Sequence, residues 1–241
     1  MDKNKNLSYA DLITLTNALL GFLAITYIID GMLMISSILL LLCILLDGAD
    51  GWVARRLNVE HELGAYLDVF SDMVSLCFAP ALLLYTTFYD IGLGRAWEHP
   101  INGLATFIPS VIVFFGTLRL SRFADVNSKN FEYSGIPTPI IALLIIISSY
   151  LFGWGDIFGS RPYILLISLF FLSFFLYSTI KYPKIRDEKW IASGLIVIFL
   201  TLTGFIVSDI SKILSGYLLV IPLVLSLMYV FIGPLLVNKD E

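Results

Sequence analysis

Four aspartates are the residues of this chain best suited to do chemistry. Asp47 and Asp50 lie three positions apart. A second pair, Asp68 and Asp72, lies four positions apart. In an α-helix these spacings place each pair on one face, within roughly 4.5–6 Å of rise. Crowded carboxylates need cations to stay ionised, and all-oxygen ligands favour hard divalent ions such as magnesium, manganese or calcium. The spacing therefore predicts a metal site, and two such ions suit displacement at phosphorus.

The composition places these carboxylates in a membrane protein. Hydrophobic residues make up 58% of the 241 residues and charged residues only 14%, which leaves more apolar surface than a soluble domain could bury. Apolar runs near the length of a membrane-spanning helix predict eight spans and an all-α polytopic membrane bundle. We expect no nucleic-acid partner for such a bundle. The predicted spans are 11–29, 32–57, 63–89, 103–124, 137–153, 162–181, 191–207 and 212–236.

Lysine and arginine are distributed unevenly between the two faces of this bundle. An even number of spans puts both termini on one side, where 12 of the 15 lysines and arginines also fall. The three others are Arg95, Arg161 and Lys212. Positive residues accumulate in cytoplasmic loops, so we predict that both termini are cytoplasmic. The aspartates lie at the cytoplasmic ends of the second and third spans, and ionisable groups at membrane depth indicate a functional site.

Small and basic residues accompany the aspartates. Gly51, Ala54 and Gly64 leave the helix faces beside the carboxylates open to a ligand, although close helix packing explains the glycines equally well. Arg55 can pair with a phosphate. The complete string is DxxDGxxAR, eight residues, and GxxxDxxxD. Its fixed positions are Asp47, Asp50, Gly51, Ala54, Arg55, Gly64, Asp68 and Asp72.

This string resembles the signature of the CDP-alcohol phosphotransferase family at every fixed position. The resemblance implies one membrane domain over residues 1–241, with a six-helix catalytic core at 11–190 and two additional helices at 191–236. It also implies a CDP-linked lipid donor, either CDP-diacylglycerol or CDP-archaeol, bound at the cytoplasmic side of a prokaryotic plasma membrane. A homodimer embedded in membrane lipid is the implied assembly.

The resemblance also implies a role for each motif residue. Asp47, Asp50 and Asp68 would bind Mg²⁺ or Mn²⁺, with two ions possible and Ca²⁺ able to occupy the site. Asp72 would contribute to the metal site and act as the general base on the acceptor hydroxyl. The CDP-lipid would contact Asp47, Gly51, Ala54, Arg55 and Gly64.

Two polar residues of the first span share a helix face. Thr14 and Asn17 lie three positions apart inside an apolar run. They could touch the nucleotide end of the donor, or they could form hydrogen bonds between helices. The spacing does not distinguish these two interpretations.

Three further segments resemble the phosphatidylserine synthase branch of the family, which implies L-serine as the acceptor. They are TLTNALLGFLAI at 14–25, LRLSRF at 118–123 followed by GIP at 135–137, and STIKYP at 178–183.

The basic residues of these segments suit an acceptor with a carboxylate. Arg119 and Arg122 lie three apart at a helix end and could hold it by bidentate hydrogen bonds, with Lys181 adding to the site. They could instead be topology anchors or contacts to lipid headgroups. The same arginines suit a phosphate, so a transferase using glycerol 3-phosphate or inositol phosphate remains the alternative.

A metal-ion transporter is the alternative from another functional class, because acidic residues inside a helical bundle can mark an ion path. Transporters typically have inverted repeats or helices broken at the midplane. The sequence shows neither feature, and its aspartates lie at one end of the spans. The pattern therefore favours the enzyme.

Overall fold

The computed structural model describes residues 8–57, 62–124, 134–159, 162–183 and 188–237, and these residues are mostly α-helical. The α-helices are α1 (Tyr9–Ile29), α2 (Leu33–Leu57), α3 (Glu62–Asp72), α4 (Ala79–Phe88), α5 (Pro100–Ala124), α6 (Thr138–Ser149), α7 (Pro162–Leu176), α8 (Glu188–Ser208) and α9 (Lys212–Val237). Arg161, one of the three cations predicted on the far side, lies outside the described residues.

The helices of the described part of the chain form eight continuous helical segments, here called rods, because α3 and α4 belong to one segment. These eight rods match the eight predicted spans. Five are long and apolar enough to cross a membrane, and three are shorter. The long rods are Tyr9–Ile29, Leu33–Leu57, Leu63–Phe88, Pro100–Arg122 and Lys212–Leu235. The shorter rods are Thr138–Trp154, Pro162–Leu176 and Ala192–Ser208. The prediction of an all-α polytopic membrane bundle is confirmed.

The third rod contains a π-helical turn at Met73–Phe78, which joins α3 to α4. The N–H of Ala79 bonds to the carbonyl five residues earlier instead of four, so the turn carries one extra residue. The turn packs tightly on α1, because a Cβ at Gly21 would lie 2.9 Å from the Cα of Ser75. Such turns often occur at functional sites, and this one begins directly after Asp72. The sequence predicted only an uninterrupted span.

Helix α7 ends earlier than the predicted span 162–181, because Pro162–Leu176 is its full length. Carbonyls at and beyond the helix end accept hydrogen bonds from residues 135 and 136, which replace a further helical turn. Gly135 makes this approach possible. Its φ is +80°, and a Cβ would collide with the carbonyl of the last residue of α7. The last five predicted residues of this span are therefore wrong.

Helix α6 joins the two halves of the bundle. Every residue from 141 to 151 is buried. Ala142, Leu143 and Ile146 pack with residues of α1, α2 and α4. The intervening Leu144 and Ile145 pack with α5 and α7 instead. This helical alternation places α6 in the interior of the bundle, where it contributes to both apolar clusters.

Candidate metal and substrate site

The ends of α2 and α3 bring three of the four motif aspartates together. Asp47, Asp50 and Asp68 each offer a carboxylate oxygen, and these oxygens all lie within 4.8 Å of one another. A hard cation holds oxygen ligands at about 2.0–2.6 Å, so one ion fits between oxygens at this spacing. The all-carboxylate set suits Mg²⁺, Mn²⁺ or Ca²⁺ better than a soft metal. The described residues thus form a cluster that can bind a divalent cation.

Asp72 lies beside this cluster, one turn further along the same rod than Asp68. Its carboxyl group is within hydrogen-bond distance of that of Asp47. Only 6% of the residue is exposed, and its Oδ1 atom has no hydrogen-bond partner among the described residues. A buried acceptor left unpaired is costly, so this oxygen is suited to receive a proton or a ligand.

Helix α1 supports the cluster from the side. The hydroxyl of Thr14 donates to Oδ2 of Asp50 at 2.8 Å, and the backbone carbonyl of Thr14 accepts from Ser71 at 2.9 Å. These two bonds tie α1 to both motif helices. Asn17 is fully buried, and both polar atoms of its amide have no partner in the described part of the chain. Thr14 therefore orients a carboxylate, while Asn17 retains free hydrogen-bonding capacity.

The motif glycine that follows Asp50 makes room for a side chain of its own helix. A Cβ at Gly51 would lie 3.1 Å from Nη1 of Arg55, so the guanidinium occupies the space that the glycine leaves. Arg55 itself is exposed, whereas Ala54 and Gly64 are half-buried. Gly48 has nothing near its missing side chain within 4 Å. The surface beside the carboxylates is therefore open at Gly48 and basic at Arg55.

Arg119 of α5 also reaches the aspartates. Its guanidinium lies close enough to Asp72 and Asp47 for electrostatic attraction, and its Nη1 donates to the hydroxyl of Thr138 at 3.2 Å. A charge in the interior is tolerated when opposite charges and hydrogen bonds surround it. The structure therefore places Arg119 in the site with the aspartates.

Arg122 and Lys181 have other surroundings. The guanidinium of Arg122 lies 3.3 Å from the ring centroid of Tyr177 and donates to its carbonyl at 3.4 Å. Lys181 is exposed, and its backbone forms an isolated antiparallel bridge with Ser134. Arg119 and Arg122 thus make these contacts with different parts of the protein.

Three neighbours of the site were not predicted from the sequence. Ser71 directly precedes Asp72, and Thr138 directly follows the GIP segment at 135–137. Their positions beside these motifs could have marked the two hydroxyls as candidates. Tyr229 of α9 lies in the neighbourhood of Arg119. No local pattern marks Tyr229, because it lies far from Arg119 in the sequence and only the packing of α9 brings them together.

The sequence also matches known proteins. Residues 7–174 match the sequence model of the CDP-alcohol phosphatidyltransferase family. The chain is 35% identical over 178 residues to an archaetidylserine synthase of Methanothermobacter thermautotrophicus, covering 73% of this chain and 69% of that protein. It is 33% identical over 205 residues to a CDP-diacylglycerol–serine O-phosphatidyltransferase of Methanocaldococcus jannaschii, with coverage of 83% and 86%. A Bacillus subtilis protein of that same name is 29% identical over 177 residues, with coverage of 73% and 90%.

Proposed function

This chain belongs to the CDP-alcohol phosphatidyltransferase family, and on that premise we propose that it transfers the phosphatidyl or archaetidyl group of a CDP-linked lipid to the hydroxyl of L-serine, releasing CMP. The observation that carries the proposal is the convergence of three carboxylates within 4.8 Å beside a fourth, buried one. The names of the relatives in two archaea and in Bacillus subtilis support serine as the acceptor.

The aspartates would hold the divalent cation. Asp47, Asp50 and Asp68 supply the oxygens, and Asp72 adds a fourth carboxylate that could share a second ion. Bound Mg²⁺ or Mn²⁺ would neutralise charge on the diphosphate of the donor. The hydroxyl of Thr14 keeps Asp50 in a ligating orientation, as partners of metal ligands commonly do.

The donor would lie over the open end of α2. Arg55 is exposed beside Gly51 and can pair with a phosphate oxygen of the CDP-lipid. Ala54 and Gly64 keep the neighbouring faces small. The unpaired amide of Asn17 has both a donor and an acceptor for a polar group of the donor that enters the site.

Asp72 is proposed as the general base. Its carboxylate takes the proton of the serine hydroxyl while the serine oxygen bonds to the phosphorus that bears the lipid. The bond from that phosphorus to the CMP oxygen breaks, and CMP leaves with the electron pair. A carboxylate is a weak base, so this role depends on positioning. The nearby positive charge of Arg119 supports the ionised form of Asp72 in that position.

The acceptor would enter from the side of α5. Arg119 lies near Asp72 and can bind the serine carboxylate close to the base. Arg122 and Lys181 line the neighbouring segments and would contribute charge at longer range. Serine thus places its hydroxyl at Asp72 when its carboxylate binds Arg119.

We also propose that the site faces the cytoplasm of a prokaryotic cell, and that one membrane domain assembles as a homodimer. Ile91 and Tyr9 are exposed on opposite sides of the predicted topology. Both native cysteines are buried, so single cysteines at these two positions can be labelled selectively. An impermeant maleimide should label Ile91→Cys in intact cells but Tyr9→Cys only after lysis. The reverse pattern would overturn the orientation.

The function is tested with purified protein in detergent. CMP release is followed with CDP-diacylglycerol or CDP-archaeol, with Mg²⁺ or Mn²⁺, and with serine, glycerol 3-phosphate or inositol phosphate. We expect release with serine and its loss when the divalent ion is chelated. Release with glycerol 3-phosphate alone would reject serine. Activity unchanged by chelation would reject the metal site.

A further inference from the structure

Two tyrosines lock the segment after α7 to helix α9. The hydroxyl of Tyr182 donates to the carbonyl of Val230 at 3.3 Å, and that of Tyr229 donates to the carbonyl of Pro183 at 3.2 Å. Their rings stack with centroids 5.8 Å apart and 24° between the planes. Each tyrosine thus binds the backbone beside the other, which makes the contact reciprocal.

A proline in α9 explains why the helix accepts a hydrogen bond from outside. The carbonyl of Val230 would normally bond to the N–H four residues later, but that residue is Pro234. Proline has no N–H, so the carbonyl is left without its helical partner. The hydroxyl of Tyr182 fills the vacancy. Tyr182 is 4% exposed, and burial raises its pKa to about 12, so it stays protonated and able to donate.

The packing around this contact is close. A Cβ at Gly233 would lie 3.2 Å from Cδ of Pro183, so the helix and the segment touch without an intervening side chain. The same segment includes Lys181, whose backbone pairs with Ser134. Helix α9 therefore contacts the segment after α7, and that segment in turn pairs with the loop between α5 and α6.

The tyrosine pair also reaches the proposed acceptor site. The segment that the tyrosines bind pairs with the loop before α6, where the N–H of Gly135 donates to the carbonyl of Ile180 at 2.9 Å. Three residues after Gly135, the hydroxyl of Thr138 accepts from Nη1 of Arg119 at 3.2 Å. Hydrogen bonds and short stretches of backbone thus connect α9 to Arg119. Helix α9 lies outside residues 7–174, which match the family model, so it is an addition to the matched region.

Resting on the proposed function, we infer that Tyr229 and Tyr182 are positioning residues for the acceptor, and that α9 completes the serine subsite by holding Arg119 and the Lys181 segment in place. The donor cluster at α2 and α3 has its own supports and does not use this contact. Loss of the tyrosine hydroxyls should therefore weaken serine binding selectively.

The test separates the two substrates. Tyr229→Phe keeps the ring and removes the hydroxyl, and we expect the KM for serine to rise about tenfold, as for one lost hydrogen bond near a charged group. The KM for CDP-lipid should change less than about twofold on the same reasoning. Tyr217→Phe is the matched control, because Tyr217 is on the same helix and 70% exposed; it should leave both KM values unchanged.

The other outcomes are decisive as well. Tyr182→Phe is the second variant if Tyr229→Phe does not fold, and it should show the same selective rise. Equal changes in both KM values, or a fall in kcat alone, would overturn the positioning role even though serine is the acceptor. If the unaltered protein does not turn over serine, the proposed function fails and this inference fails with it.

Discussion

The donor side and the acceptor side of the site are built from different kinds of sequence. The donor side comprises residues of α1, α2 and α3, which follow one another in the chain: Thr14, Asp47, Asp50, Asp68 and Asp72. The acceptor side comprises residues from α5, α6, the segment after α7, and α9: Arg119, Thr138, Lys181, Tyr182 and Tyr229. One side is assembled by neighbouring helices, and the other by tertiary packing of distant segments.

This difference separates chemistry from selection. Holding a cation needs a fixed number of oxygens at fixed distances, and helical spacing on two adjacent rods can meet that demand locally. Recognising a small alcohol needs a pocket shaped by several elements, and those elements can vary without disturbing the carboxylates. We therefore expect the loss of a donor-side carboxylate to lower turnover steeply, and changes on the acceptor side to alter substrate binding.

The strongest test of this division removes one ligand. Asp50→Asn or Asp68→Asn keeps the shape of the side chain but loses the charge that holds the cation. Losing about 4 kcal/mol of transition-state stabilisation lowers kcat/KM about 10³-fold. The rate of CMP release with Mg²⁺ measures kcat/KM in each variant. Asp30→Asn, an exposed change at the opposite end of α1, is the control and should retain activity. Substantial activity in both ligand variants would break the metal assignment.

Asp72→Asn should distinguish the base from the ligands. Removing a general base lowers kcat about 10²–10³-fold. Binding of Mn²⁺, followed by electron paramagnetic resonance, should weaken much less than in Asp68→Asn, because the three converging oxygens belong to other residues. Full turnover in Asp72→Asn would remove Asp72 as the base. Equal loss of Mn²⁺ binding in the two variants would make Asp72 a principal ligand.

A smaller effect is expected where the support of a ligand is removed. Thr14→Val is close in shape but cannot donate to Asp50, and lost support of this kind weakens metal binding about tenfold. Thr14→Ser keeps the hydroxyl and should restore the affinity for Mn²⁺. If both variants bind Mn²⁺ like the unaltered protein, the bond at 2.8 Å does not orient the ligand.

On the acceptor side, the two arginines should differ. Arg119→Lys loses a planar, bidentate donor next to Asp72, and we expect the KM for serine to rise about tenfold. Arg122→Lys should have a smaller effect, because Arg122 packs on Tyr177. Saturation curves for serine at fixed CDP-lipid measure both. A larger effect from Arg122 would move the carboxylate site toward the end of α5.

The sequence predicted much of the fold and little of the acceptor side, for physical reasons. Long apolar runs predicted the helical spans. The spacing of the aspartates predicted that each pair lies on one face of its helix. The π-helical turn at Met73–Phe78 was missed because it depends on tight contacts such as that of Gly21 with Ser75. The end of α7 was missed because a segment from another loop takes its carbonyls. Tyr229 was missed because only tertiary packing brings it to Arg119.

The smallest expected effect concerns stability and tests the contact between Tyr182 and α9. Tyr182→Phe leaves the carbonyl of Val230 unpaired, which should lower the free energy of unfolding by about 1 kcal/mol. Pro234→Ala supplies the missing N–H, so the double variant should recover this loss. The unaltered protein, the two single variants and the double variant form a double-mutant cycle. Measuring the unfolding of these four proteins in detergent micelles gives the coupling energy between the two substitutions. Strictly additive effects would mean that the carbonyl is not shared in this way, and that Tyr182 contacts α9 through ring packing alone.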